Sequence, residues 1–181
     1  GGNDTFRIKT EAQAREFECG GGPYSWAPFE KMRKGRDFMV QPYLKEVTDG
    51  EWSMIFLDGE YSHAVLKRPK PGNWLVQDEH GGTVHWEDPS PDMVGTAREA
   101  FEKVLPAYHK NRETGTLEIH SPLLYGRVDM IDTAGGPKVG ELELAEPELF
   151  FICRKNGLFF PFQPAAQKFV TGVKRVLGIL S

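Results

Sequence analysis

Apolar residues recur along this chain at two spacings, and the change from one to the other marks its elements. Glu51–Leu57 and Tyr61–Arg68 are short, weakly alternating blocks that read as strands around Asp58-Gly59, a strong two-residue hairpin signal. Leu124 to Pro147, LYGRVDMIDTAGGPKVGELELAEP, alternates more cleanly. Arg127 and Asp129 share one face against Val128 and Met130, and Glu141 and Glu143 share one against Leu142 and Leu144. Asp132-Thr133-Ala134-Gly135-Gly136-Pro137 between them is turn chemistry, so this stretch is expected to be a second hairpin. Phe38–Gln41 reads as a buried strand stopped by Pro42, and Thr5–Ile8 as a short one. Helical spacing appears at Glu11–Phe17, at Trp26–Arg36, and from Met93 through Ala97, Phe101 and Val104 to Tyr108, with Ser90 or Asp92 as N-cap. The final helix is expected near Gln163–Leu180, with Phe169, Val170, Val173, Val176 and Leu177 on its buried side. This order of strands and helices implies an α+β fold, with helices packed on an antiparallel sheet.

The polar face of the second hairpin is where chemistry is concentrated. Asp129, Glu141 and Glu143 crowded beside Arg127 repel one another, so one must protonate or gain a cation. A hard divalent ion with oxygen ligands, such as Mg2+, relieves that repulsion. A solvated strand face, with the acids apart, fits the same spacing, and the pattern alone leaves both readings open.

Composition narrows the class. The chain has 181 residues, enough for one ordinary domain or two small lobes. Hydrophobic residues make up 39% and charged residues 27%, the balance of a soluble globular protein. A net charge of −4 argues against nucleic acid as a partner by bulk charge. No run approaches the length of a membrane span, which argues against a membrane. Cys19 and Cys153 have no metal-ligand spacing and make no disulfide framework, so a reducing, cytoplasmic setting is the expectation. The apolar tail from Phe150 to Phe162 either covers the core or joins copies in a homo-oligomer.

Four stretches, in order from Gly1 to about Phe151, resemble the ATP-grasp superfamily. The likeness is to glutathione synthetase-type ligases and the related cyclo-ligase that closes the cycloserine ring. Gly1 and Gly2 resemble the end of the glycine-rich lid over the ATP phosphates. Val40-Gln41-Pro42-Tyr43-Leu44 resembles the hinge strand whose backbone reads adenine, which implicates Gln41, Tyr43 and Leu44. Glu51 matches the acidic residue on the ribose, and Lys67 the basic residue near the phosphates. Leu75 stands where glutathione synthetase has an arginine, which argues against glutathione synthesis; the roles of Gln77 and His80 stay open.

The resemblance implies that Asp129, Glu141 and Glu143 hold Mg2+, with Mn2+ an alternative, and that Arg127 stabilises the transferring phosphoryl group. It implies an ATP-grasp-type antiparallel sheet with flanking helices, the latter part of that fold: 1–45 in the small lid lobe ending in the hinge strand, and 46–181 in the large lobe. The implied partners are ATP, a small carboxylate and an amine, joined by an ADP-forming ligase through an acylphosphate. The family's upstream lysine and its N-terminal substrate domain are not among these residues. A lobe of the same kind that binds nucleotide or a partner without ligating is therefore the alternative.

Overall fold

The computed structural model describes residues 8–19, 40–71, 81–108, 123–155 and 158–179. The chain divides into two compact units, Gly1–Lys45 and Glu46–Ser181. In the first, helix α1 runs Glu11–Cys19. The Thr10 hydroxyl accepts the Gln13 amide at 3.2 Å, which caps the helix, while the Gln13 side chain reaches one residue past the cap to accept the Lys9 amide at 2.7 Å. Residues 40–44 join no strand pairing, and Val40 is 92% exposed, so the expected buried strand is corrected over its described part. Pro42 has no N–H to give a neighbouring strand, and a 3-10 turn begins at Lys45. The expected segments Thr5–Arg7, Trp26–Arg36, Phe38 and Met39 lie outside the described residues, as do Leu75, Gln77 and His80.

The second unit is built on one sheet. Its strands are β1 (Glu51–Leu57), β2 (Glu60–Arg68), β3 (Thr83–Trp86), β4 (Tyr125–Ile131), β5 (Lys138–Glu143), β6 (Ile152–Lys155) and β7 (Leu158–Pro161). Their order is β5-β4-β1-β2-β3-β6-β7, antiparallel throughout except for the parallel step from β3 to β6. Asp58 and Gly59 take φ of 54° and 82°, the left-handed pair that the β1–β2 turn demands.

Helices cover both faces. Helix α2 (Pro91–Tyr108) starts at Ser90, whose hydroxyl accepts the Met93 amide at 3.3 Å. Its Met93, Ala97 and Phe101 pack on Met54, Phe56, Ala64, Val128 and Met130, the even-numbered face of β1, β2 and β4. Helix α3 (Gln163–Val176) covers part of the other face, where Ala165 and Phe169 meet Ile55, Leu57 and Val65.

The buried side of α3 differs from expectation. Ala165, Phe169 and Gly172 face the sheet, whereas Val170, Val176 and Leu177 are 50%, 55% and 66% exposed. The reason is the close approach at Gly172, where a Cβ would lie 2.8 Å from Leu124 Cδ1, together with ion pairs from Arg175 to Asp58 and from Lys168 to Glu60. Those contacts fix the helix rotation and leave Val170 and Val176 outside, while Val173 stays half-buried. The helix also ends earlier than expected. Gly178 at φ 68° lets the Ile179 and Gly178 amides return to the Lys174 and Arg175 carbonyls, which closes the last turn.

His63 is 4% exposed under Trp86 and Phe162, and Nε2 lies 3.0 Å from the Leu149 carbonyl. As a neutral ring it donates there and accepts from Ser62, 3.0 Å from Nδ1. Burial pushes its pKa below the ordinary 6.5, although the backbone carbonyls of Leu149 and Phe150 partly oppose the shift. Between the folded-state value and 6.5 the unfolded chain binds more protons than the folded one. Stability is therefore full above about pH 6.5 and declines as pH falls toward the folded-state value. Melting temperature against pH should show wild type losing more between pH 7.5 and 5 than His63→Gln. Equal losses would assign the acid sensitivity elsewhere.

Candidate active site

The odd-numbered face of β1 changes character along its length. Ile55 and Leu57 lie in the core beneath α3, whereas Glu51 and Ser53 lie on the same face nearer the start of the strand. Register extends this polar end sideways, because directly opposed residues in a sheet share a face. Glu51 pairs with Lys67 on β2, Ser53 with Asp129 on β4, and Arg127 and Asp129 with Glu143 and Glu141 on β5. A register shift after Asp129, where Met130 pairs with Val139, leaves Gly140 as the extra residue of β5.

The side chains form a chain of alternating charge. Lys67 Nζ lies 2.5 Å from Glu51 Oε1 and 3.3 Å from Asp129 Oδ1. Arg127 grips Asp129 in a fork, Nε to Oδ2 at 3.0 Å and Nη2 to Oδ2 at 2.9 Å, and Nη2 also lies 2.5 Å from Glu143 Oε2. Ser53 Oγ donates to Asp129 Oδ1 at 2.5 Å. Three carboxylates against two cations leave one net negative charge, and Glu141 adds another on the same face.

Burial makes these pairings necessary. Asp129 is 2% exposed, and a carboxylate that deep is tolerated only when charge and hydrogen bonds replace its water. Desolvation pushes the Glu51 pKa up, Lys67 pulls it back, and the charge on Asp129 adds to the rise. For Arg127, burial works against the charged form, but the hydrogen bond and charge of Asp129, with Glu143 and Glu141 behind it, hold its pKa above the usual value. The guanidinium is therefore a fixed cation.

Of the residues singled out in the sequence, Glu51, Lys67, Arg127, Asp129 and Glu143 converge. Glu141 lies opposite Asp129 but is exposed, and among the described residues no three His, Cys, Asp or Glu side chains form a metal-ligating group. The donor set nevertheless suits a hard cation. Asp129 and Glu143 already aim carboxylate oxygens at one positive nitrogen, and Glu141 is one cross-strand neighbour away. Gln41, Tyr43 and Leu44 belong to the other unit, and Gly1 and Gly2 lie outside the described residues. Ser53 escaped the sequence reading. Its only signal was its place two residues after Glu51, on the same strand face.

No protein-family model matches the chain. The cycloserine biosynthesis protein DcsG of Streptomyces lavendulae is 35% identical over 141 residues, 76% of this chain and 44% of that protein. The crystal structure of D-cycloserine synthetase DcsG superposes with a TM-score of 0.53 at 28% identity, covering 76% of this chain and 41% of that one. The D-alanine–D-alanine ligase of Bacillus anthracis gives a TM-score of 0.42 at 14% identity, a likeness too slight to carry an argument. The chain thus spans less than half the length of these proteins. Among the described residues no helix is long and apolar enough to cross a membrane. With a five-strand antiparallel region, helices on both faces and a sequence similar to DcsG over three-quarters of its length, the chain is homologous to DcsG and has an ATP-grasp-type fold.

Proposed function

We propose that this cluster is the Mg-ATP site of an ADP-forming ligase that joins a carboxylate to an amine through an acylphosphate. The observation that carries the reading is the convergence of Asp129 and Glu143 on Arg127 Nη2, with Lys67 paired to the same Asp129. The similarity to D-cycloserine synthetase supports it.

Each residue then has a distinct task. Glu51 accepts ribose hydroxyls, a role suited to a carboxylate with two acceptor oxygens. Lys67 supplies a point charge and Arg127 a planar fork to the phosphate oxygens. Asp129, Glu141 and Glu143 would hold Mg2+, which supplies charge neutralisation on the phosphates when bound. Drawing Lys67 or Arg127 toward a phosphate removes a cation from Asp129, so the carboxylates need a replacement positive charge at that moment. Phosphoryl transfer asks the protein for positioning and electrostatics more than for covalent chemistry. The substrate carboxylate oxygen bonds to the γ-phosphorus as the bond to ADP breaks. The amine nitrogen then bonds to the acyl carbon, phosphate leaves with the acyl oxygen, and a proton is lost from nitrogen. Residues 1–45 serve as part of the lid lobe in this reading, with the Gln41–Leu44 backbone on adenine.

Calorimetric titration with ATP, with and without Mg2+, tests the site. Wild type should bind tightly only with the metal, and Glu141→Ala should weaken that binding by about tenfold or more. Unchanged Mg-ATP affinity would remove the hairpin from the metal site. ADP release over a panel of carboxylate–amine pairs tests the ligase step, and a flat response across the panel would leave nucleotide binding without ligation.

A further inference from the structure

The two oxygens of Asp129 are held differently. Oδ1 accepts from Ser53 Oγ at 2.5 Å, from Arg127 Nε at 3.1 Å and from Lys67 Nζ at 3.3 Å. Oδ2 accepts from Arg127 Nε at 3.0 Å and Nη2 at 2.9 Å. Rotation of a carboxylate about its last torsion is soft, so its partners set its orientation. Two of the three donors at Oδ1 are long charged side chains, and both are assigned above to phosphate. The third is a hydroxyl on a short side chain of a central strand, 0% exposed and directly opposite Asp129. It is the donor that stays when the other two move.

Ser53 has a second consequence. Lys67 is on β2 and Asp129 on β4, with β1 between them. Adjacent strands lie about 4.8 Å apart, so the lysine crosses nearly 10 Å of sheet to reach the carboxylate. It passes beside position 53, where a long side chain would stand in its path.

We propose that Ser53 is a positioning residue for this site. Its hydroxyl fixes the Asp129 carboxylate so that Oδ2 is presented to the incoming charge, and its small size keeps Lys67 within reach of Oδ1. The proposal rests on the assignment of Asp129 to the metal and phosphate site, and it goes further by naming a residue outside the ligand set that controls it.

The test compares Ser53→Thr with Ser53→Val, two side chains of nearly equal shape that differ in the hydroxyl, with Asp129→Asn as the control. Mn2+ is titrated at fixed ATP and followed by electron paramagnetic resonance. ATP binding without any divalent ion is measured alongside. Partners one shell out from a metal typically change its affinity by 10–100-fold. Ser53→Val should therefore raise the Mn2+ concentration for half-saturation at least tenfold, and Ser53→Thr should stay within about threefold of wild type. Metal-free ATP binding should be alike in the two variants, a split that simple loss of packing would not produce.

Equal Mn2+ titrations for the Thr and Val variants would overturn the role of the hydroxyl. Should either variant fail to fold, Ser53→Ala reads the same hydroxyl without added volume, and a wild-type titration from it would overturn the proposal equally. Metal dependence surviving in Asp129→Asn would overturn both the site assignment and the role of Ser53. Its loss there, with Ser53→Val unaffected, would overturn Ser53 alone.

Discussion

Asp129→Ala should cost about 3–5 kcal/mol of folding stability, the usual penalty for breaking a buried ion pair from one side. The size follows from what remains. The side chains of Lys67 and Arg127 are only 12% and 11% exposed, and both direct nitrogens at the missing carboxylate. Glu51 and Glu143 still hold one cation each, so neither is stranded completely. The Ser53 hydroxyl, fully buried, loses its acceptor as well. At roughly 2–4 °C per kcal/mol for a chain of this size, the melting temperature should fall by about 10 °C. Asp129→Asn should lose nearly as much, because its amide keeps the shape but removes the charge from between two cations. Urea unfolding of the three proteins decides the matter. A loss under about 1 kcal/mol would place the cluster among solvent-screened surface pairs, which are worth little.

Phe101→Ala should cost a similar amount, about 3–5 kcal/mol, by a wholly different mechanism. Phe101 is 0% exposed and stacks on Phe56 with ring centroids 4.3 Å apart at 10°. Its ring edge also fills the space above Gly126, where a Cβ would lie 2.5 Å from Phe101 Cε2 and 3.0 Å from Leu144 Cδ2. Gly126→Ala alone should therefore overpack the core and cost about 1–3 kcal/mol. Combined, the two substitutions should cost less than their sum, since the added methyl enters the cavity that the ring vacates. A double-mutant cycle in denaturant measures this coupling, and strict additivity would mean that the two sites do not share the space. The expectation matters for function because Gly126 immediately precedes Arg127 on β4.

Much of this arrangement was legible in local chemistry. Asp58-Gly59 specified its turn because few other residues accept two left-handed positions in succession. Ser90 and Asp92 bracketed the start of α2 because a free amide turn needs an acceptor there, and the structure uses Ser90. The alternation around Arg127 and Asp129 put Val128 and Met130 into the core and the charges on one face, as expected from period two. Other features were not legible. Trp86 and Val84 gave no clear strand signal, and the pairing of β6 with β3 joins residues far apart in the chain. The rotation of α3 departed from its apolar pattern at Val170, Val176 and Leu177 because the helix lies close against Leu124 and Asp58 at Gly172.

The acidic hairpin separates the two kinds of information. Sequence alone determined that Arg127, Asp129, Glu141 and Glu143 lie on paired, alternating strands, since side-chain direction along a strand follows from backbone geometry. It also carried the ATP-grasp resemblance that the relatives support. Tertiary structure decided which charges meet. The slip at Gly140 set Glu141 opposite Asp129, the central place of β1 brought Ser53 beneath that carboxylate, and β2 carried Lys67 across to it. Strand order and register are fixed by packing among distant segments, so no window of the sequence contains them.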